Sequence, residues 1–91
     1  MKCGGFTKTI ITSEHINIIN SKRDEIEKML IIKGRNGKIE YFEVLELQQQ
    51  VVAGINFLFK IKIQKNSDEY IQVRIHKNLD NEISIHSVNS V

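Results

Sequence analysis

Five apolar residues at every second position constrain this chain more than any other feature. Ile55, Phe57, Phe59, Ile61 and Ile63 alternate with Asn56, Leu58, Lys60 and Lys62. Successive side chains of an extended chain point to opposite faces, so this spacing predicts a strand with one buried face. A strand of that kind needs partners, and the same period recurs on both sides of it. Leu45 and Leu47 share a face before it, and Ile71, Val73 and Ile75, then Ile83 and Ile85, follow it. Residues 48–53 are expected to form a hairpin loop between the first two strands. Residues 64–69 are polar and read as a connection, and residues 78–82 read as a second hairpin. Centred on Asp80, that hairpin would pair Ile75 with Ile85 on the core side and set His86 opposite Arg74.

One stretch has the other period. Across residues 13–32, Ile16, Ile19, Ile26, Met29 and Leu30 fall on one stripe at helical spacing, interrupted by Arg23. Thr12 or Ser13 is the candidate cap, Glu14 stands in the first turn, and Asp24 and Lys28 have the spacing of a favourable pair. Asn17 and Asn20 weaken the first half, so a start nearer Ser21 is an alternative. Gly34 supplies a stop and Asn36-Gly37 a turn. The first dozen residues are small and polar, with adjacent glycines at Gly4 and Gly5, and read as an arm able to add a strand. The predicted fold class is therefore α+β: one N-terminal helix packed on a four- to five-stranded antiparallel sheet, in a single domain over residues 1–91 with residues 1–12 as the arm.

Composition narrows the functions. Ile, Val, Leu and Phe make up about a third of the 91 residues, which excludes a disordered chain. Cys3 is the single cysteine, so no internal disulfide is available. The N-terminus shows no apolar segment of the signal-peptide type, and no apolar run is long enough to span a membrane. Together these predict a cytoplasmic chain. Its 13 basic residues nearly balance 11 acidic ones without a cationic run, which argues against nucleic acid as a partner. Phe57 and Phe59, the aromatics a sheet could offer to bases, are expected in the core.

Signals of catalysis, metals or cofactors are nearly absent. Cys3 stands in the arm, where nothing would hold a base against it. His15, His76 and His86 lack metal-ligand spacing and read as surface residues. The motif that stands out is apolar. Val51, Val52 and Ala53 occupy a turn where polar residues are the rule, and an apolar tip is costly in water unless a partner covers it.

Gln50-Val51-Val52-Ala53-Gly54 resembles the Gln-x-Val-x-Gly loop of the cystatins, in the form found in the stefin (type 1 cystatin) branch. Gly54-Ile55-Asn56-Phe57 with Lys60 is similar to the stefin strand after that loop. Cys3-Gly4-Gly5 resembles the stefin arm, and residues 69–75 followed by Asn78-Leu79 resemble the strand that enters a second binding loop. The resemblance implies a cystatin-like fold and reversible, competitive, non-covalent inhibition of papain-like cysteine proteases of the cathepsin type. It implies a wedge of three parts that fills the active-site cleft. Gly4, with Gly5 as the alternative, matches the arm glycine; Gln50, Val51, Val52, Ala53 and Gly54 match the first loop; Leu79 and Asp80 match the second.

Two departures accompany the resemblance. The stefin second loop usually continues Leu-Pro, and here it is Leu79-Asp80. The chain also stops at Val91, short of the usual stefin length, so a curtailed last strand is expected. A non-inhibitory protein-binding module on the same fold is the alternative. A monomer is expected, with a domain-swapped or Cys3-linked dimer as the other forms.

Overall fold

The alternating residues become β3, the middle strand of the sheet. The computed structural model describes residues 5–35 and 39–91. Its elements run β1 (Thr7–Lys8), α1 (Ser13–Ser21), α2 (Arg23–Ile32), β2 (Glu43–Val52), β3 (Gly54–Lys62), β4 (Tyr70–Lys77) and β5 (Ile83–Ser90). The five strands form one antiparallel meander in chain order. Phe57, Phe59, Ile61, Val73 and Ile75 are all at most 3% exposed and meet Ile18, Ile19, Ile26 and Leu30 of the helices in one core. The arm adds the expected extra strand: Thr7 pairs with Gln49 and Lys8 with Gln48.

The single predicted helix is two. Lys22 breaks it, with φ −106° and ψ 4°, and serves as the C-cap of α1 and the N-cap of α2. Arg23, the misfit on the apolar stripe, follows at the start of α2. Its Nη2 donates to Ile39 O at 2.7 Å, and its guanidinium lies 5.0 Å from the Phe42 ring centroid. An arginine facing the core needs such partners, and the break turns it towards them. The helix does begin at Ser13 and not near Ser21. Thr12 Oγ1 accepts from His15 N, and Thr12 N donates to His15 Nδ1, a reciprocal capping box with histidine in the usual Glu or Gln position.

Three expectations about the strands are corrected. First, residues 48–52 are not loop: β2 runs on to Val52, which pairs with Gly54 around Ala53 alone. Second, Leu45 does not share the core face of Leu47. A bulge between Val44 and Glu46 turns Val44 towards the core and leaves Leu45 38% exposed. Third, Ile75 pairs with Ile85 as predicted, but a bulge follows and Arg74 pairs with Ser87, not His86. The extra residue moves even-numbered Val88 onto the core face, where it is fully buried opposite Val73. Nor is the last strand curtailed: β5 lies along the whole of β4, and Val91 N donates to Tyr70 O.

Candidate functional site

The first hairpin is stiff because strand pairing continues to its tip. Gln50 pairs with Asn56, Val51 with Ile55 and Val52 with Gly54. Asn56 Nδ2 donates to Gln50 Oε1 at 3.1 Å, so the glutamine does bond within the hairpin. Asn56 Oδ1 faces His76 Nδ1 at 2.7 Å. With the amide oxygen as acceptor there, the imidazole proton sits on Nδ1. This chain of three polar side chains crosses β2, β3 and β4, and it satisfies Asn56, which is only 8% exposed. Beyond it the tip is apolar and open. Val51 is 62% exposed, Ala53 is exposed and Val52 is half-buried.

Gly54 joins the two hairpins. Its φ of +97° is left-handed, and a Cβ there would collide with Lys77 O and come within 3.0 Å of Asn78 Cα. The close approach that glycine permits here is to the second hairpin of the same chain. Lys77 Nζ also pairs with Glu14 Oε1 at 3.6 Å, which ties this corner to the start of α1.

The second hairpin has no proline, and Asn78 orders it instead. Asn78 Oδ1 accepts from Asp80 N and Glu82 N, both at 2.9 Å, and Asn78 Nδ2 donates to Glu82 Oε1 at 3.1 Å. Asn78 N donates to Glu82 O and Asn81 N to Asn78 O, while Asn81 takes a left-handed φ of 64°. Asparagine suits both tasks, the side-chain turn and the positive φ. Leu79, 78% exposed, and exposed Asp80 stand at the resulting tip.

The two tips flank one shallow cleft of about 310 Å³. Val51, Val52, Ile55 and Leu79 line it with Gly54, Lys77, Asn78 and Asn81. The sequence-predicted residues of both loops are thus brought together at one end of the sheet. Of the arm glycines, Gly5 is exposed with open space around its Cα, and Gly4 and Cys3 lie outside the described residues. Asn56 and Asn78, which entered the sequence reading only as part of the resemblance, and His76, read there as a surface residue, organise the two hairpins. A turn-forming asparagine one residue before an apolar tip was the available signal for Asn78.

His76 and His86 pack side by side on the outer face, with ring centroids 5.5 Å apart. Among the described residues no group of three or more His, Cys, Asp or Glu side chains converges as a metal site would require. Among the described residues no helix is long and apolar enough to cross a membrane.

Comparison with known proteins assigns the family. The Cystatin domain family profile matches residues 33–83, from the end of α2 to the start of β5. The chain is 33% identical over 79 residues to Stefin-C of Bos taurus, covering 87% of this chain and 72% of the relative. It is 31% identical over 83 residues to Cystatin-B of Bos taurus, covering 90% and 78%. Against Cystatin-A of Bos taurus the identity is 35% over 77 residues, covering 84% and 71%. With a helix pair on a five-stranded antiparallel meander, and two hairpin tips that expose Val51 and Leu79 at one end of it, this chain belongs to the cystatin superfamily, in its stefin branch.

Proposed function

We propose that the chain is a reversible, competitive, non-covalent inhibitor of papain-like cysteine proteases. The observation that carries this reading is the cleft flanked by the apolar tip Val51-Val52-Ala53 and by exposed Leu79, on hairpins already ordered without a partner. A wedge needs no chemistry of its own. It must fill a cleft, and a preformed edge loses little conformational entropy on docking. The apolar tips gain about 25 cal/mol for each Å² they remove from water, before association costs. Gly4 or Gly5 would let the arm turn away from the protease nucleophile, so that no peptide carbonyl meets the thiolate in an attack geometry. Gln50 and Gly54 hold the first loop in shape, while Leu79 and Asp80 would touch the far side of the cleft. An intracellular protease, met by the inhibitor as a monomer, is the partner this reading implies.

The test is a titration of papain activity with the purified protein at several substrate concentrations. Competitive, reversible inhibition near one-to-one is expected. No inhibition at micromolar protein, with a folded circular-dichroism spectrum, would overturn the reading. Asp80, exposed beside Leu79 where relatives of the stefin type usually carry proline, favours the non-inhibitory binding module as the second reading.

A further inference from the structure

Phe6 is the one aromatic residue of the arm, residues 1–12. The strand after it is two residues long, on an edge of the sheet, with one further backbone bond from Thr9 N to Leu47 O at 3.0 Å. So short an edge strand frays unless something else holds it. Pairing ends with Thr7 at Gln49 and Lys8 at Gln48; continued backwards, that register would set Phe6 opposite Gln50 and Gly5 opposite Val51. The chain therefore leaves the sheet alongside the first hairpin tip.

The Phe6 side chain is half-buried and reaches beyond its own edge. Its ring centroid lies 5.1 Å from Arg74 Cζ, although Arg74 belongs to β4, three strands away. Arg74 pairs with Leu58 on one side and Ser87 on the other, and its Nε is buried without a hydrogen-bond partner among the described residues. A guanidinium left short of partners is stabilised by the negative face of an aromatic ring. Each residue thus supplies what the other lacks: Arg74 gains a covering ring, and Phe6 gains an anchor on a central strand.

We propose that Phe6 and Arg74 form a latch that fixes where the arm leaves the sheet. They are positioning residues for the protease-binding edge, an assignment that rests on the inhibitor reading above. Holding the chain at Phe6 in the free protein removes part of the ordering that binding would otherwise require.

The experiment compares Phe6→Ala and Arg74→Met with the parent, in the full chain and in a chain beginning at Gly5. The first readout needs no protease: amide hydrogen exchange of Thr9. It is expected to quicken about three- to tenfold in either variant, with β3 and β4 amides unchanged. The second is the inhibition constant against papain. A rise of about three- to tenfold is expected in the full chain and less than twofold in the chain lacking residues 1–4. Unchanged Thr9 exchange would overturn the latch. Equal losses in both backgrounds would show that Phe6 and Arg74 act on the rest of the molecule and would overturn the positioning role. A parent protein that fails to inhibit papain would remove the inhibitor reading, and with it the positioning role, while Thr9 exchange would still decide whether the latch exists.

Discussion

Gly54 answers two demands at one position. The turn around Ala53 requires its φ of +97°, and the second hairpin passes so close that a Cβ would strike Lys77 O. Either alone favours glycine; together they leave no room for another residue. Gly54→Ala is expected to destabilise the protein by about 2–3 kcal/mol, because a left-handed non-glycine residue and a backbone collision add. Thermal unfolding measures it, and an unchanged midpoint would contradict the close approach. The tyrosines make a separate prediction. Tyr70 OH donates to Asp68 Oδ1 at 3.2 Å, which holds its proton and raises its pKa above the ordinary 10.0. For Tyr41, partial burial is the larger cause, with the Glu43 carboxylate acting in the same direction. A folded-state pKa above the unfolded one adds stability that is fully present below pH 10 and is lost as pH rises through the folded value. Ultraviolet titration is expected to show both phenols ionising above pH 10.0 in the native protein and reverting to the ordinary value in denaturant.

At the scale of elements, the start of α1 is held by few groups. Thr12 supplies the cap and His15 returns the bond, while the His15 ring meets Phe57 edge-on at 5.5 Å. Thr12→Ala removes the side-chain half of that box and is expected to cost about 1 kcal/mol. For a chain of this size that lowers the unfolding midpoint by roughly 4–8 °C. The cap was legible in the sequence as Thr12 or Ser13, because capping is local chemistry, and the structure places it at Thr12. So was β3, whose period extends over nine residues, and so was the register that pairs Ile75 with Ile85. The bulges were not. Val44 and Leu45 are both apolar, so a slip of one residue leaves no mark in the pattern. Val88 has the wrong parity for the core until the extra residue beside Arg74 and Ile75 corrects it. The helix break was visible only as a misplaced Arg23. Its resolution lies at Ile39 and Phe42, far along the chain, where local spacing carries no information. In the site, the apolar tip stood out from sequence, but its length did not: residues 48–52 read as loop, and cross-strand pairing keeps them in the strand.

At the scale of the whole molecule, an antiparallel meander sends alternate turns to the same end of the sheet. The β2–β3 and β4–β5 hairpins therefore meet, and the β3–β4 connection lies at the opposite end of a body 42 Å long and 23 Å wide. This geometry separates the core from the tips that the proposed inhibition would use. The core is made by the middle of the strands and the helices, while the tips protrude beyond it. Val51 is mostly exposed, so Val51→Asp exchanges one solvated side chain for another and is expected to leave the unfolding midpoint within experimental error. Val52 is half-buried and lines the cleft beside Ile55 and Leu79, so Val52→Asp is expected to lower the midpoint slightly as well. Under the proposed inhibition, both carboxylates would have to be desolvated in the protease cleft. Each variant is then expected to weaken inhibition at least tenfold, about 1.4 kcal/mol. The contrast between them is the informative part. Loss of inhibition in Val51→Asp at full stability assigns the tip to the partner. Loss in Val52→Asp alone, in step with its stability, would instead mark the valine pair as support for the hairpins and move the contact surface to Leu79 and the arm.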